Sequence, residues 1–418
     1  MSRPQVAWIF LAFAFAYFLS TLVRAITAPL SPTLIDEFGV QARDLGLLAG
    51  GYFLGFAATQ LPMGRWLDSH GPRKVLCALL LFAVLGSVTF SIATEFNHLL
   101  IARVLTGVGV SACLMAPLTG FRRWLPATSQ VRANSWMLMT GSLGMLASTL
   151  PVQWLLPSIG WRPIFLAVAA LNLLAIAWLW FQIPAWSAAR PPADGAHPPS
   201  QAQGEAQAAP QGLWASYAPV WRNRYFQRMA PLAFFVYGGM IAMQTLWAGP
   251  WMVKVSDYTP LQAATGLFWI NVVMLVTFWG WGLATPWMAQ RGWGPDRLIS
   301  VGLPLNLLAI LWLVIEGPGT GALAWSVFFV TCSFVSLAQP AIGLAFPGHL
   351  AGRALSAYNL LIFGGVFLMQ WGFGWLVDLA AALDLSVAGR FQFAMACLGV
   401  TTVASTIWFI WRRADNGG

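Results

Sequence analysis

Two arginines stand where a cation is costly to place. Arg24 follows residues 4–23, a run without Asp, Glu, Lys or Arg, and Arg103 opens another such run at 104–121. A guanidinium meets a carboxylate or phosphate through two parallel hydrogen bonds and stays charged at every relevant pH, so these residues point to anion recognition. Arg24 is the sharper candidate; a side chain that merely snorkels to a membrane surface is the competing reading. For Arg103, packing, gating and ligand roles stay open. Tyr52, Gln244, Asn271 and Asn359 lie within other uncharged runs, and Trp247 adds an aromatic face. Each polar group alone fits interhelical bonding, whereas together they form a candidate ligand lining. The thirteen Asp and Glu and the four His all fall in loops or at helix ends, so no buried proton relay is visible. Paired intramembrane carboxylates, a metal-ligand cluster and a nucleophile elbow are absent too, which argues against an enzyme, a metal or a cofactor.

The elements that must position these residues follow from composition. The chain has 418 residues, 58% hydrophobic and 8% charged, where a soluble domain carries about 25% charged residues. Twelve stretches of 18 or more residues lack Asp, Glu, Lys and Arg: 4–23, 45–64, 75–94, 104–121, 133–161, 163–189, 229–253, 258–290, 298–315, 317–352, 354–377 and 391–411, here spans 1 to 12. Each is long enough for the roughly 20 helical residues that cross a hydrocarbon core of about 30 Å. The expected fold is therefore an all-α integral membrane protein of twelve transmembrane helices.

The net charge of +9 suits a membrane surface better than nucleic acid. With alternating spans, 16 basic residues fall on the side of the N-terminus and four, Arg43, Arg162, Lys254 and Arg390, on the other. The positive-inside rule then places both termini in the cytoplasm. The four cysteines lie within spans, so no disulfide framework is implied. Residues from Pro184 to about Trp214 are rich in Pro, Ala, Gln, Ser and Gly, a composition of flexible tethers. The expected organisation is a first bundle over 1–183, a largely disordered cytoplasmic linker over 184–225 and a second bundle over 226–418.

The bundles repeat. Pro126 to Arg132 has the spacing of Pro347 to Arg353; Gly71-Pro72-Arg73-Lys74 returns as Gly294-Pro295-Asp296-Arg297; and Arg162 to Phe165 matches Arg390 to Phe393. Three matches in one order and orientation argue for parallel six-helix repeats, an arrangement found in alternating-access transporters. An offset of about 221 carries Arg24 to Gln244 or Thr245. One fixed cation remains in the candidate site, which favours a monoanion over a doubly charged phosphate ester.

Between spans 2 and 3 the chain reads Gly64-Arg65-Trp66-Leu67-Asp68-Ser69-His70-Gly71-Pro72-Arg73-Lys74, and span 4 opens with Arg103-Val104-Leu105-Thr106-Gly107-Val108-Gly109. These segments resemble the loop G-x-x-x-D-R-x-G-R-K and the R-x-x-x-G-x-G pattern of the major facilitator superfamily, with departures at Ser69 and Pro72. Leu22-Val23-Arg24 followed by Ala28-Pro29-Leu30 resembles span 1 of its organophosphate:phosphate antiporters and related anion carriers, where the matching arginine faces the central cavity. The loop reads as a latch: Gly64 and Gly71 permit close approach and a tight turn, while Asp68 sits on a helix N-terminus or pairs with Arg73. The resemblance puts that N-terminus on span 11, near Arg353. Gly107-Val108-Gly109-Val110-Ser111-Ala112 also fits G-x-G-x-x-A, but a dinucleotide site needs a strand that an apolar span cannot supply. Its glycines, with Gly51 and Gly55, read as helix packing sites. Gly249 and Pro250 are expected to weaken span 7.

The functional expectation is a secondary transporter of a small organic anion, a carboxylate above all. The bilayer and the solute are its partners, nucleic acid is not, and it works as a monomer in the bacterial cytoplasmic membrane. Drug efflux is the alternative within the class, and a non-transporting membrane sensor a weaker one.

Overall fold

A computed structural model describes residues 3–186 and 213–414, and among these every regular element is a helix. Among the described residues, ten helices are long and apolar enough to cross a membrane. Spans 2 and 5 are interrupted rods: span 2 runs over Ala42–Ala58, breaks at Thr59 and continues into Gln60–Ser91, while span 5 divides into Ala127–Ala147 and Leu150–Ile159. Neither Ala42–Ala58 nor Ala127–Ala147 is among the ten. Spans 2 and 3 part at Gly71, whose φ of 77° lies in the left-handed region that glycine tolerates.

Both termini mark one face. Trp8 at the start of span 1 meets Trp178 near the end of span 6, with ring centroids 6.1 Å apart. Arg412 at the end of span 12 donates to Gln227 at the start of span 7 over 3.3 Å. Within the first bundle, small residues set the helix spacing, as expected. A side chain at Gly107 would strike the Tyr52 carbonyl, and one at Gly109 the backbone of Ala83. The second bundle is pinned at the terminal face by Arg228, which meets Asp296 at 2.6 Å and donates to the Phe409 carbonyl over 2.9 Å.

The helices nearest the bundle junction are irregular. Span 1 breaks at Ile26, between Arg3–Ala25 and Thr27–Phe38, and span 4 breaks over 111–114. Span 7 holds two π segments, Leu232–Tyr237 and Met243–Trp247; span 10 contains the 3₁₀ segment Ser333–Leu337. Such segments often mark functional hinges. The expected weakening by Pro250 falls one turn upstream: Ala248–Lys254 is α-helix, and the π segment Met243–Trp247 holds Leu246, whose carbonyl a proline at 250 cannot serve.

The bundles seal against each other on the face opposite the termini. Gly46 and Gly374 bring spans 2 and 11 into backbone contact, at Gln370 and Ala42 respectively. Asp378 spans the seam, accepting hydrogen bonds from the backbone N–H groups of Ala42 at 3.2 Å and Arg43 at 2.8 Å. On the terminal face lies the end of the expected 184–225 linker. Residues 187–212 lie outside the described chain, but Leu213–Arg222 is a helix with Tyr217 and Val220 buried. Apolar Tyr217, Val220 and Trp221 let it pack; the Tyr217 hydroxyl donates to the Leu61 carbonyl of the first bundle over 3.2 Å, and the helix packs on Gly348–Ala382 of the second.

Candidate functional site

Arg24 lies in the last turn of the first helix of span 1, just before the Ile26 break. It is half-buried, and its guanidinium carbon lies 5.6 Å from the Phe56 ring centroid and 5.9 Å from that of Phe363. Phe56 belongs to span 2 and Phe363 to span 11, so Arg24 sits at the junction of the bundles. Tyr52, Tyr17 and Tyr237 lie near enough to act on its charge. Nε of Arg24 is buried without a partner.

Arg103 lies behind Tyr52. It is 1% exposed, donates Nη1 to the Val23 carbonyl over 2.8 Å and stands 5.0 Å from the Tyr52 ring centroid. Its Nε and Nη2 lack partners. The Tyr52 hydroxyl in turn donates to the Ser20 carbonyl over 3.2 Å. Tyr52 thus stands between two cations, and Arg103 holds the backbone of the residue preceding Arg24. The described ion pairs, Arg43–Asp44, Arg162–Glu37 and Arg228–Asp296, involve neither. A buried charge without a counter-ion is expensive, and aromatic faces offset only part of that cost, about 0.5 to 2 kcal/mol each. An incoming anion would supply what the protein withholds.

The other expected site residues divide. Gln244, in the second π segment of span 7, donates to Asn271 Oδ1 of span 8 over 3.0 Å. Asn359 accepts from Gln339 Nε2 over 2.8 Å. These amides form pairs that can exchange a protein partner for a ligand. Trp247 is corrected: 1% exposed, it donates Nε1 to the Gln370 carbonyl over 3.1 Å and packs on Phe373, within the seal. Its one donor is already spent.

The expected latch on the terminal face is rearranged. Gly71 makes the turn, but Gly64 permits no close approach here, because a Cβ would meet nothing within 4 Å. Arg73 turns to span 6, donating to the Ile183 carbonyl over 3.2 Å with its guanidinium 4.8 Å from the Trp180 ring. The carbonyl of Asp68 accepts from Trp186 Nε1 over 3.1 Å, and Arg353 is exposed beside Tyr217.

Sequence reasoning overlooked Tyr237, although the repeat held the signal: an offset of about 221 carries Tyr17 to Gly238, one residue away. It also missed Phe363, which stacks against Phe53 at 6.2 Å and meets Phe56 at 4.4 Å. No spacing rule singles out one phenylalanine among the 28.

The chain is 25% identical over 405 residues to a probable sulfoacetate transporter of Cupriavidus necator, covering 93% of this chain and 90% of that one. It is 26% identical over 337 residues to a gallate transporter of Pseudomonas putida, covering 75% and 72%. Similarity to a hexuronate transporter of Escherichia coli K12 is 24% over 315 residues, covering 72% and 69%. Among solved structures it superposes on a bacterial homologue of the human lysosomal transporter Spinster, inward-facing and occupied, with TM-score 0.74, 16% identity and coverage of 99% and 98%. A D-xylose-proton symporter gives TM-score 0.72 at 15% identity, covering 97% of each chain. The family model of the Major Facilitator Superfamily matches residues 13–369, and the chain belongs to that superfamily.

Proposed function

We propose that this protein is a secondary transporter that moves a small organic anion across the membrane by alternating access, with Arg24 as the cation that meets the solute. The observation that carries the reading is the setting of Arg24, a half-buried guanidinium at the bundle junction, ringed by Phe56, Phe363 and three tyrosines. Relatives named for sulfoacetate, gallate and hexuronate support it. Arg24 is the contact cation and Arg103, shielded by Tyr52, adds potential without contact. A monocarboxylate is therefore fully met, while a second anionic group would be only partly compensated. The same cations disfavour cationic drugs as cargo.

In this reading Gln244, Asn271, Asn359 and Tyr52 complete the solute site, and Arg103 fixes its frame. Gly64, Asp68, Gly71, Arg73 and Arg353 serve the gate on the terminal face. The excess of basic residues there orients that face to the cytoplasm of a bacterial inner membrane. The working unit is one chain, with bundles over 1–183 and 226–418.

Uptake of labelled sulfoacetate, gallate and a hexuronate into proteoliposomes tests the proposal. Wild type is expected to transport at least one, Arg24→Lys to keep a fraction, and Arg24→Ala to lose roughly 30-fold to several-thousand-fold in affinity, as when one partner of a buried charge pair is truncated. Full binding by Arg24→Ala would overturn the assignment of Arg24. Failure of the wild type to move these or any wider set of organic anions would overturn the transport reading.

A further inference from the structure

The face opposite the termini carries a cleft of about 290 Å³ at the seam between the bundles. Span 1 contributes Pro32, span 7 contributes Trp247 and Lys254, and span 11 contributes Asp378, with Arg390 lining the cleft just before span 12. Its charge balance is unusual for this face. Of the four basic residues assigned to it, Arg43 pairs with Asp44 at 3.7 Å and Arg162 with Glu37 at 2.7 Å. The other two, Lys254 and Arg390, enter no ion pair among the described residues, and both line the same cleft.

The acid in that lining is already engaged. Asp378 accepts from the backbone N–H groups of Ala42 and Arg43, at the start of the helix Ala42–Ala58. Its charge faces the positive end of a helix. The charge left uncompensated in the cleft is therefore positive. Beneath it lies Trp247, whose indole is tied to the Gln370 carbonyl, against which Gly46 packs. The cleft thus sits directly over the seal that separates this face from Arg24.

The geometry points to a second anion site here: a staging site in which Lys254 and Arg390 hold a small monoanion above the closed seal. It rests on the anion-transport reading, since a solute for Arg24 would reach this cleft first when approaching from this face. A cleft with an excess of positive charge concentrates anions and raises their on-rate, an effect that salt screens. An anion held there also lies beside Asp378, so its repulsion weakens the carboxylate's grip on span 2 as the solute arrives.

The test is electrostatic and independent of transport. A full-length variant with Cys77, Cys113, Cys332 and Cys397 replaced by serine receives one new cysteine, Val253→Cys, in the cleft lining. Reconstituted protein is treated from this face with anionic 2-sulfonatoethyl and cationic trimethylammonioethyl methanethiosulfonate. The anionic-to-cationic rate ratio, relative to a free thiol, is expected to exceed unity by about threefold or more at low salt. It should fall to about unity in Lys254→Gln/Arg390→Gln and likewise in Lys254→Glu, where the new carboxylate cancels Arg390, which keeps the test decisive if the double variant fails to insert. A ratio that none of these changes alter overturns the site. Arg24→Ala should abolish transport and leave the ratio intact, so loss of the transport reading and loss of the staging site give different results. In a transporting protein, the double variant should raise KM about threefold or more for an anion added on this face, with kcat unchanged.

Discussion

Asp378→Asn isolates the contact that closes the seam. Its carboxylate receives two backbone N–H groups of the other bundle, at 3.2 Å from Ala42 and 2.8 Å from Arg43, the first partly buried and the second exposed. A carboxylate at a helix N-terminus contributes about 0.3 to 1 kcal/mol when exposed and up to about 2 when partly buried. Asparagine keeps an acceptor but loses the charge and one of the two bonds, so the expected loss is about 1 kcal/mol, roughly a fivefold shift toward the state in which this face is open. Ala49→Cys reports the shift: position 49 is 1% exposed, between Gly46 and Gly50, which pack on span 11. Its labelling rate by a membrane-impermeant maleimide from this face is proportional to the open population. Asp378→Asn should raise that rate about fivefold, and Gly46→Leu further, because its side chain would collide with the Gln370 carbonyl. A rate within twofold of wild type for Asp378→Asn, whatever Gly46→Leu does, refutes the idea that this carboxylate holds the seam.

Arg103→Met should leave the melting temperature unchanged or raised, because an uncompensated buried cation is replaced by an apolar chain. It should nevertheless weaken anion binding about tenfold, since the ties to Val23 and Tyr52 are lost; lost stability with intact binding would reverse that assignment. Gly64→Ala should be neutral to folding, whereas Gly71→Ala should cost at least about 1 kcal/mol in denaturation midpoint, from its φ of 77° and its contact with Trp186. Glu37 gives a pH signature. Burial alone pushes its carboxyl up, but hydrogen bonds from Trp161 and Arg162 and the arginine charge outweigh burial and hold it below the ordinary carboxylate range. A depressed folded pKa contributes stability above the unfolded pKa of about 4.3 that is lost as pH falls through the folded value. Glu37→Gln should thus melt lower than wild type at pH 7, by a small margin given the partial exposure, and the two should converge well below pH 4; a gap that persists there counts against the linkage.

Legibility varied with the kind of contact. Charge-free runs read directly as helices, because a backbone in hydrocarbon must satisfy its own hydrogen bonds. The paired bundles followed from repeated segments such as Gly71-Pro72-Arg73-Lys74 and Gly294-Pro295-Asp296-Arg297. The span 4 glycines read as packing sites and are so, since small residues are what bring membrane helices together. Arg24 stood out because a charge beside a long apolar run has few uses.

Other features depended on facing. A helix that is apolar on all sides carries no stripe to show which side turns inward, so the sequence could not separate Phe363, wedged against Phe56 beside Arg24, from the other phenylalanines. Trp247 offered an aromatic face to a ligand, but on a π-distorted segment its indole is bonded to the Gln370 carbonyl within the seal. Gly64 fitted a family pattern, yet what approaches it depends on how the bundles lean.

The sequence by itself determined the membrane-spanning helices, their division into two related bundles and the presence of a lone guanidinium suited to an anion. These depend on local composition and on the energetic penalty for charge in hydrocarbon. Only the tertiary structure decided that Arg103 supports Arg24 through Val23 and Tyr52, and that Asp378 bonds to residues 335 and 336 positions away. Such bonds depend on which helix ends meet across a seam, and that is set by the mutual packing of two bundles rather than by any residue's neighbours in the chain.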